Sequence, residues 1–99
     1  MSNLPPGPGR VIQSRLTARA HGGIAEAALD SNKTAWARCF TDGEQWTPWV
    51  LVADGVVDVD IAAIPDDNLV ALVVVTPAAG RGRVIFSLAF NGTLTPTQS

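Results

Sequence analysis

The sequence predicts an all-β protein made of two four-stranded antiparallel repeats. Three observations predict this class. Short apolar segments recur with a turn signal about every 8–12 residues, and the segments fall into two similar sets. Charged residues make up only 16% of the 99-residue chain. Because so few side chains prefer water, the composition also predicts that partner subunits cover part of the surface.

Eight segments have the composition of β-strands and are separated by turns rich in Gly, Pro, Asp and Asn. Alternation of apolar and polar residues in 83–90 predicts a strand with one buried face. The continuous apolar run 69–75 predicts a strand covered on both faces. The alanine-rich segment 24–29 would equally suit a helical turn. The predicted strands are residues 11–19, 24–29, 35–40, 46–52, 56–63, 69–75, 83–90 and 93–96.

The first four segments resemble the last four in sequence. Ile24 aligns with Leu69, and the turn Asp42-Gly43 aligns with the hairpin signal Asn91-Gly92. Four antiparallel strands repeated about every 45 residues are typical of the blades of a β-propeller. Two blades cannot close a ring, and each would leave an open edge strand. The sequence therefore predicts a β-propeller or similar closed assembly formed by a homo-oligomer, with three chains as the simplest closure.

The chain divides into an N-terminal arm (1–10), a first repeat (11–55), a second repeat (56–96) and a tail (97–99). Three prolines and two glycines in positions 5–10 exclude a helix from the arm and remove donors that a sheet would need. A terminus of this composition is ordered only when something holds it. We therefore expect the arm to contact a neighbouring subunit of an assembly.

Charge and hydropathy exclude several classes of protein. The net charge of −2 excludes a strongly basic nucleic-acid-binding protein. The run 69–75 is too short to span a bilayer, and no signal peptide is recognisable, so we expect cytoplasmic synthesis. Positive charge is concentrated in residues 1–40 and negative charge in 41–99. Opposite halves could attract head to tail between subunits, but solvated loop charges would give the same distribution.

The chain offers little for catalysis, and we expect no enzyme activity, cofactor or metal. His21 is the only histidine and Cys39 the only cysteine, so an internal disulfide is excluded. A nucleophilic pair of these two residues is disfavoured, because Cys39 alternates with residues predicted to be buried.

Two aspartates stand two positions apart on a predicted strand. Asp58 and Asp60 could bind Ca²⁺ or act as an acid–base pair. A solvated face, opposite a buried face formed by Val57, Val59 and Ile61, is the favoured interpretation.

The three tryptophans, Trp36, Trp46 and Trp49, lie within fourteen residues. Bulky aromatic residues fill the wedge that opens between twisted sheets, so Trp36 and Phe40 are predicted to pack between repeats. Trp46 and Trp49 are three apart on a predicted strand and should point to opposite faces. One of those two indoles is then expected to face solvent, a ligand or another chain.

The segment 36–49 resembles a hairpin of the small bacterial and fungal fucose-binding propeller lectins, and the two-blade layout of residues 11–96 is also similar to theirs. The resemblance implies a trimer with six blades. It further implies sugar binding by an arginine on the second strand of a blade, a glutamate on the third, and tryptophans. The residues that carry it are Cys39, Phe40, Asp42, Gly43 and Trp46, with Thr41 as one extra residue.

The sequence departs from that lectin pattern, because Glu26 is on the second strand and Arg38 on the third. The second repeat has no tryptophan. At most one of two sites per chain would then be of the lectin kind. Exposed indoles would stack on the sugar while polar side chains supply hydrogen bonds. The candidate binding residues are Trp36, Arg38, Glu44, Gln45, Trp46 and Trp49.

Two classes of function remain. The stretch DGEQWTPWVLV is also similar to tail-fibre and knob modules of phages, in which a recognition module would bind a cell-surface glycan. The alternative is a purely structural virion or assembly protein, a decoration or tail component without a ligand. Low charge and an apolar second repeat favour the structural role, and the tryptophan hairpin favours recognition. We expect a non-enzymatic, oligomeric, lectin-like recognition module.

Overall fold

The structure, a computed structural model, describes residues 7–18, 23–40, 45–64, 69–78 and 82–98. These residues contain eight β-strands and no helix, so no membrane-crossing helix is found among them. The strands are β1 (Val11–Ala18), β2 (Ile24–Asp30), β3 (Ala35–Phe40), β4 (Val50–Ala53), β5 (Val56–Ala63), β6 (Leu69–Pro77), β7 (Val84–Phe90) and β8 (Leu94–Gln98).

The strands form two antiparallel sheets in chain order, β1-β2-β3-β4 and β5-β6-β7-β8. The all-β class with two four-stranded antiparallel sheets is therefore confirmed. Residues 24–30 form a strand and not a helical turn. The fourth strand begins at Val50 instead of residue 46, and β8 runs to Gln98, past the predicted end at residue 96.

The two sheets match strand by strand. β1 has a bulge between Val11 and Gln13, and β5 has a bulge between Val56 and Asp58, at the corresponding place. A shared bulge position fixes which residues correspond, because it shifts the register by the same step in each sheet. The pairings match Gln13 with Asp58, Ser14 with Val59, Glu26 with Val73, Ala37 with Ile85, and Arg38 with Phe86.

The structural match differs from the sequence alignment in the second strand. Ile24 was aligned with Leu69, but it pairs with Ala18 as Ala71 pairs with Ala63. Ile24 therefore corresponds to Ala71. Ala63 and Ala71 are eight positions apart in the chain, whereas Ala18 and Ile24 are six apart. A sequence alignment cannot place the two extra residues without the strand pairing.

The sheets pack face to face around one apolar core. The first sheet contributes small side chains to it, and the second contributes larger aliphatic ones. Interiors pack at crystal-like density, so an alanine-rich face lets the second sheet approach closely. Fully or nearly fully buried residues on these core faces include Ala25, Ala27, Ala35, Ala37 and Cys39 from the first sheet and Val59, Val73, Val75 and Leu88 from the second.

The bulge in β5 makes one predicted orientation wrong. Val57 was expected on the buried face with Val59, but it is 48% exposed, and Val56 is buried instead. The bulge sets two residues of β5 against one of β6, which reverses the side on which the first residues point. Asp58 and Asp60 are exposed, as the solvated-face interpretation predicts.

Two hydrogen bonds between the sheets involve backbone amides of β5. The Val59 amide donates to the Gln13 side-chain oxygen at 2.9 Å. The Val56 amide donates to the Lys33 carbonyl at 2.8 Å. β5 is an edge strand of the second sheet, and its Val59 amide is bonded to the Gln13 side chain of the first sheet. This amide is therefore not available to pair with a strand of another chain.

Lys33 adopts a left-handed backbone conformation, with φ at 63°, in the turn between β2 and β3. This region costs a non-glycine residue roughly 1–2 kcal/mol. We expect Lys33→Gly to raise the free energy of unfolding by about 0.5–1 kcal/mol, since glycine removes the strain but loses more chain entropy on folding. Urea unfolding of the variant would measure it. Lys33→Ala keeps the strain and serves as the control; an equal gain in both variants would contradict the explanation.

The described part of the arm lies on its own chain. The Gly9 amide donates to an Asp30 carboxylate oxygen at 3.1 Å, and the Arg10 carbonyl accepts from the Ser31 amide at 2.8 Å. A Cβ added to Gly7 would lie 3.3 Å from Cδ1 of Trp49. Residues 7–10 thus make contacts within their own chain, and the predicted contact of the arm with a neighbouring subunit stays a prediction. Residues 1–6 lie outside the described residues.

Candidate functional site

An ion pair occupies the middle of the outer face of the first sheet, the face that points away from the second sheet. Glu26 on β2 and Arg38 on β3 are directly opposite in the register. Arg38 Nε donates to Glu26 Oε1 at 2.7 Å, and the Ser14 hydroxyl on β1 donates to Glu26 Oε2 at 2.8 Å. Bonds with one or two charged partners are short and strong. They fix the direction of Arg38.

Two indoles enclose the guanidinium group of Arg38. Its Cζ lies 4.1 Å from the ring centroid of Trp46 and 4.3 Å from that of Trp49. Both distances are well within the range of cation–π attraction. Phe40 supports Trp46 from the side, with a centroid distance of 5.3 Å and an edge-to-face angle of 65°. The stack is therefore a rigid arrangement of three aromatic rings and one cation.

The terminal nitrogens of Arg38 are not used within this stack. Only Nε is bonded to an acceptor among the described residues. The side chain is 28% exposed. A guanidinium group carries five donors in a fixed fork, so the terminal nitrogens of Arg38 carry further N–H donors.

Trp46 and Trp49 share one face, so the prediction of opposite faces is wrong. Residues 45–49 are not a regular strand, and Trp46 makes only an isolated bridge to Phe40. Thr47 explains this local path: its amide donates to the Cys39 carbonyl at 2.8 Å, and its hydroxyl accepts the Cys39 amide at 3.0 Å. Side-chain alternation holds only along a continuous strand.

Trp36 and Phe40 lie on the outer face, so the predicted packing between repeats does not occur within the chain. Ala35, Ala37 and Cys39 take the core side of β3, and the residues between them must point outward. Trp36 Nε1 donates to Asp30 Oδ2 at 3.1 Å. The indole N–H of Trp36 is therefore already hydrogen-bonded within the protein.

Asp30 is the buried charged residue among the described residues, with 2% of its surface exposed. Burial by itself would raise the pKa of this carboxyl, but hydrogen bonds from the Gly9 and Thr34 amides, the Trp36 indole and the Asn32 amide lower the pKa below its usual value. The carboxylate is thus ionised and joins the arm, the β2–β3 turn and an indole.

The structure brings together three of the six candidate binding residues, Arg38, Trp46 and Trp49. Trp36 shares their face but is anchored to Asp30. Gln45 is exposed and precedes Trp46 in the chain. Glu44 lies outside the described residues, as do His21, Asp42 and Gly43.

The sequence analysis left Asp30 and Glu26 off the list of site residues. Glu26 had a detectable signal, because charged residues on adjacent predicted strands pair when the register aligns them. The lectin pattern requires arginine on the second strand and glutamate on the third. Here the two residue types are exchanged, and they bond to each other.

Two depressions among the described residues are not lined by the rings of the stack. One of about 90 Å³ is on the outer face of the second sheet, beside Asp58, Asp60, Thr76 and Arg83. The other, of about 180 Å³, is at the seam between Pro48 and the β7–β8 turn. No group of three or more potential metal ligands occurs in the described part of the chain.

The Arg38 stack, a charge held between two indoles and bonded to Glu26, is the best-defined polar arrangement on the described surface. Aromatic surface beside a few placed hydrogen-bonding groups is typical of ligand-binding sites. Comparison of the chain with family models, with curated proteins and with solved structures found no match.

Proposed function

We propose that this chain is a non-enzymatic, oligomeric β recognition module that binds a carbohydrate or another cell-surface ligand around Trp46. The proposal depends on one observation, the stack in which Arg38 lies between Trp46 and Trp49. Trp46 is 39% exposed although Arg38 and Phe40 pack against it. A large apolar ring that is both exposed and rigid loses little entropy when a ligand packs on it.

The chemistry of the stack suits a sugar. The free side of the Trp46 indole can pack against the C–H face of a pyranose ring. Arg38 supplies N–H donors for hydroxyl oxygens. Glu26 neutralises Arg38 at 2.7 Å, so the site does not require an anionic ligand.

An oligomer would multiply this single site. One weak site per chain becomes effective when several sites act on one surface, because later binding steps are intramolecular. A receptor-binding part of a phage tail is a setting that needs such multivalent attachment, and we place the module there as part of the proposal.

We expect Trp46→Ala to lower the apparent affinity for the glycans that the wild-type protein retains on an array by at least about 30-fold, the effect of losing a central aromatic contact. The oligomer should persist. Ile85→Ala is the matched control, because Ile85 is exposed to a similar degree, 41% against 39%, on the other sheet. Binding that survives in Trp46→Ala, or a wild-type protein that retains no glycan, would refute the proposal.

A purely structural role in a virion or another assembly is the second candidate. Large exposed aliphatic side chains favour it: Ile12 is 60%, Leu16 63% and Leu51 47% exposed. Deleting residues 1–6 distinguishes the structural role from glycan recognition. If the arm holds the protein in an assembly, the deletion will release the protein from it. If the protein binds glycans through the Arg38 stack, the deletion will leave glycan binding unchanged. The deletion stops before Gly9, whose amide bonds to Asp30.

A further inference from the structure

The described part of the N-terminal arm lies against one of the two indoles that enclose Arg38. A Cβ built on Gly7 would lie 3.3 Å from Cδ1, 3.8 Å from Cγ and 3.9 Å from Cβ of Trp49. A side chain at Gly7 would have to displace either the indole or the arm, so only glycine allows so close an approach. Trp49 is therefore in contact with the arm as well as with the Arg38 guanidinium group, whose Cζ lies 4.3 Å from the ring centroid.

Hydrogen bonds at the next residues of the arm fix its place on the first sheet. The Gly9 amide donates to Asp30 Oδ2 at 3.1 Å. The Arg10 carbonyl accepts the Ser31 amide at 2.8 Å. Asp30 is the last residue of β2, and Ser31 begins the turn that follows it. The arm is thus fastened to the end of β2 within two or three residues of Gly7.

Pro8 makes the connection between this anchor and Gly7 stiff. The proline ring fixes its own φ at about −65°. It also restricts the residue before it to extended conformations, and that residue is Gly7. Because both residues that follow the contact with the indole have little freedom, the anchor at Gly9 determines where Gly7 lies.

The three indoles differ in what supports them. Trp36 donates to the Asp30 carboxylate at 3.1 Å, and Trp46 packs edge-to-face on Phe40 with a centroid distance of 5.3 Å. Both of these supports belong to strands of the first sheet. The support of Trp49 includes the arm, and Trp49 itself precedes β4 in a segment that is not a regular strand. The stack therefore depends on the arm at its Trp49 side.

We propose that Gly7 is a positioning residue of the ligand site, that it holds Trp49 against the Arg38 guanidinium group, and that the segment from Gly7 to Gly9 is part of this site. The inference rests on the proposed function and adds to its site a segment outside the tryptophan hairpin. When the arm leaves Trp49, the indole is free to turn and Arg38 is no longer held between two rings. A ligand must then order both side chains as it binds, which lowers its affinity.

The experiment compares the wild-type chain with Gly7→Ala and with a deletion of residues 1–9, and its first measurement needs no ligand. The Nε–H group of Arg38 lies close to both indoles, and their ring currents shift its NMR signal. This signal therefore reports the position of Trp49. We expect it to move toward the value of an unstacked arginine in Gly7→Ala, and to move further in the deletion.

The second measurement is the apparent dissociation constant for the glycans that the wild-type protein retains on an array. It should rise about 3-fold in Gly7→Ala and at least about 10-fold in the deletion of residues 1–9, as the cost of ordering one or two side chains predicts. Two controls should behave as the wild type does. Deletion of residues 1–6 keeps Gly7 and its anchor, and Ile85→Ala removes a side chain, 41% exposed, from the other sheet. Circular dichroism would show that each variant is folded, and Gly7→Ala alone decides the question if the longer deletion unfolds the chain.

An Arg38 signal that stays unchanged in Gly7→Ala would overturn the inference. So would a deletion of residues 1–6 that moves the signal as far as the deletion of residues 1–9 does. A moved signal with unchanged glycan affinity would also overturn it, because the position of Trp49 would then not matter to the ligand. If the wild-type protein retains no glycan, the proposed function is refuted, and the Arg38 signal still decides whether the arm positions Trp49.

Discussion

Replacing Asp30 by alanine is expected to lower the free energy of unfolding by about 2–4 kcal/mol. The carboxylate accepts hydrogen bonds from the Gly9, Asn32 and Thr34 amides and from the Trp36 indole, at 3.0–3.1 Å. Hydrogen bonds to charged groups contribute roughly 1.5–3 kcal/mol, and donors left buried without a partner add a further cost. Urea unfolding of the variant and the wild type would measure the loss.

The same carboxyl should make stability depend on pH. Its pKa is lower in the folded chain than in the unfolded chain, so its contribution is present above the unfolded pKa, roughly 4, and is lost as pH falls through the folded pKa. Asp30→Asn should therefore lose less stability than the wild type on acidification below about pH 4. Asp60→Asn, at an exposed carboxylate, is the control. A wild-type curve parallel to that of Asp30→Asn would show that Asp30 is not ionised as described.

Replacing Leu88 by alanine is expected to cost about 2–5 kcal/mol. Leu88 is fully buried at the centre of β7 and contributes to the core shared by both sheets. A 99-residue domain has a total stability of roughly 5–15 kcal/mol, so this single cavity would remove a large share of it. The midpoint of urea unfolding should fall by a corresponding amount.

Ile12→Ala provides the reference for the Leu88 variant. Ile12 is also an aliphatic residue of a strand, but it is 60% exposed. Surface substitutions usually change stability by less than about 0.5 kcal/mol. Equal losses in the two variants would contradict the position of Leu88 in a common core. Loss of structure only in the second sheet of Leu88→Ala would contradict the single core that joins the sheets.

The strand pattern was predictable because alternation and turn residues are local signals. Asn91 and Gly92 mark a hairpin, and they do connect β7 to β8. The bulge in β5 was not predictable, since a bulge is a property of the pairing between two strands. That is why Val57 was assigned to the wrong face.

The candidate site was partly predictable. The sequence identified Trp46 and Trp49 as candidate binding residues. Their common face, however, depends on the local backbone path, which is set where Thr47 bonds to Cys39. The role of Asp30 depends on Gly9, which is 21 positions away in the chain. Sequence patterns of period two contain no information about such distant partners.

The ion pair of Arg38 and Glu26 replaces an apolar pair at the corresponding place in the second repeat, Phe86 and Val73. The apolar pair is covered as soon as the chain folds, whereas the charged pair faces water until another molecule arrives. A newly made chain therefore presents a charged, hydrated surface in the middle of the first sheet. An apolar pair at the same place, as in the second repeat, would be exposed to water and would favour aggregation during synthesis. The ion pair lowers that tendency.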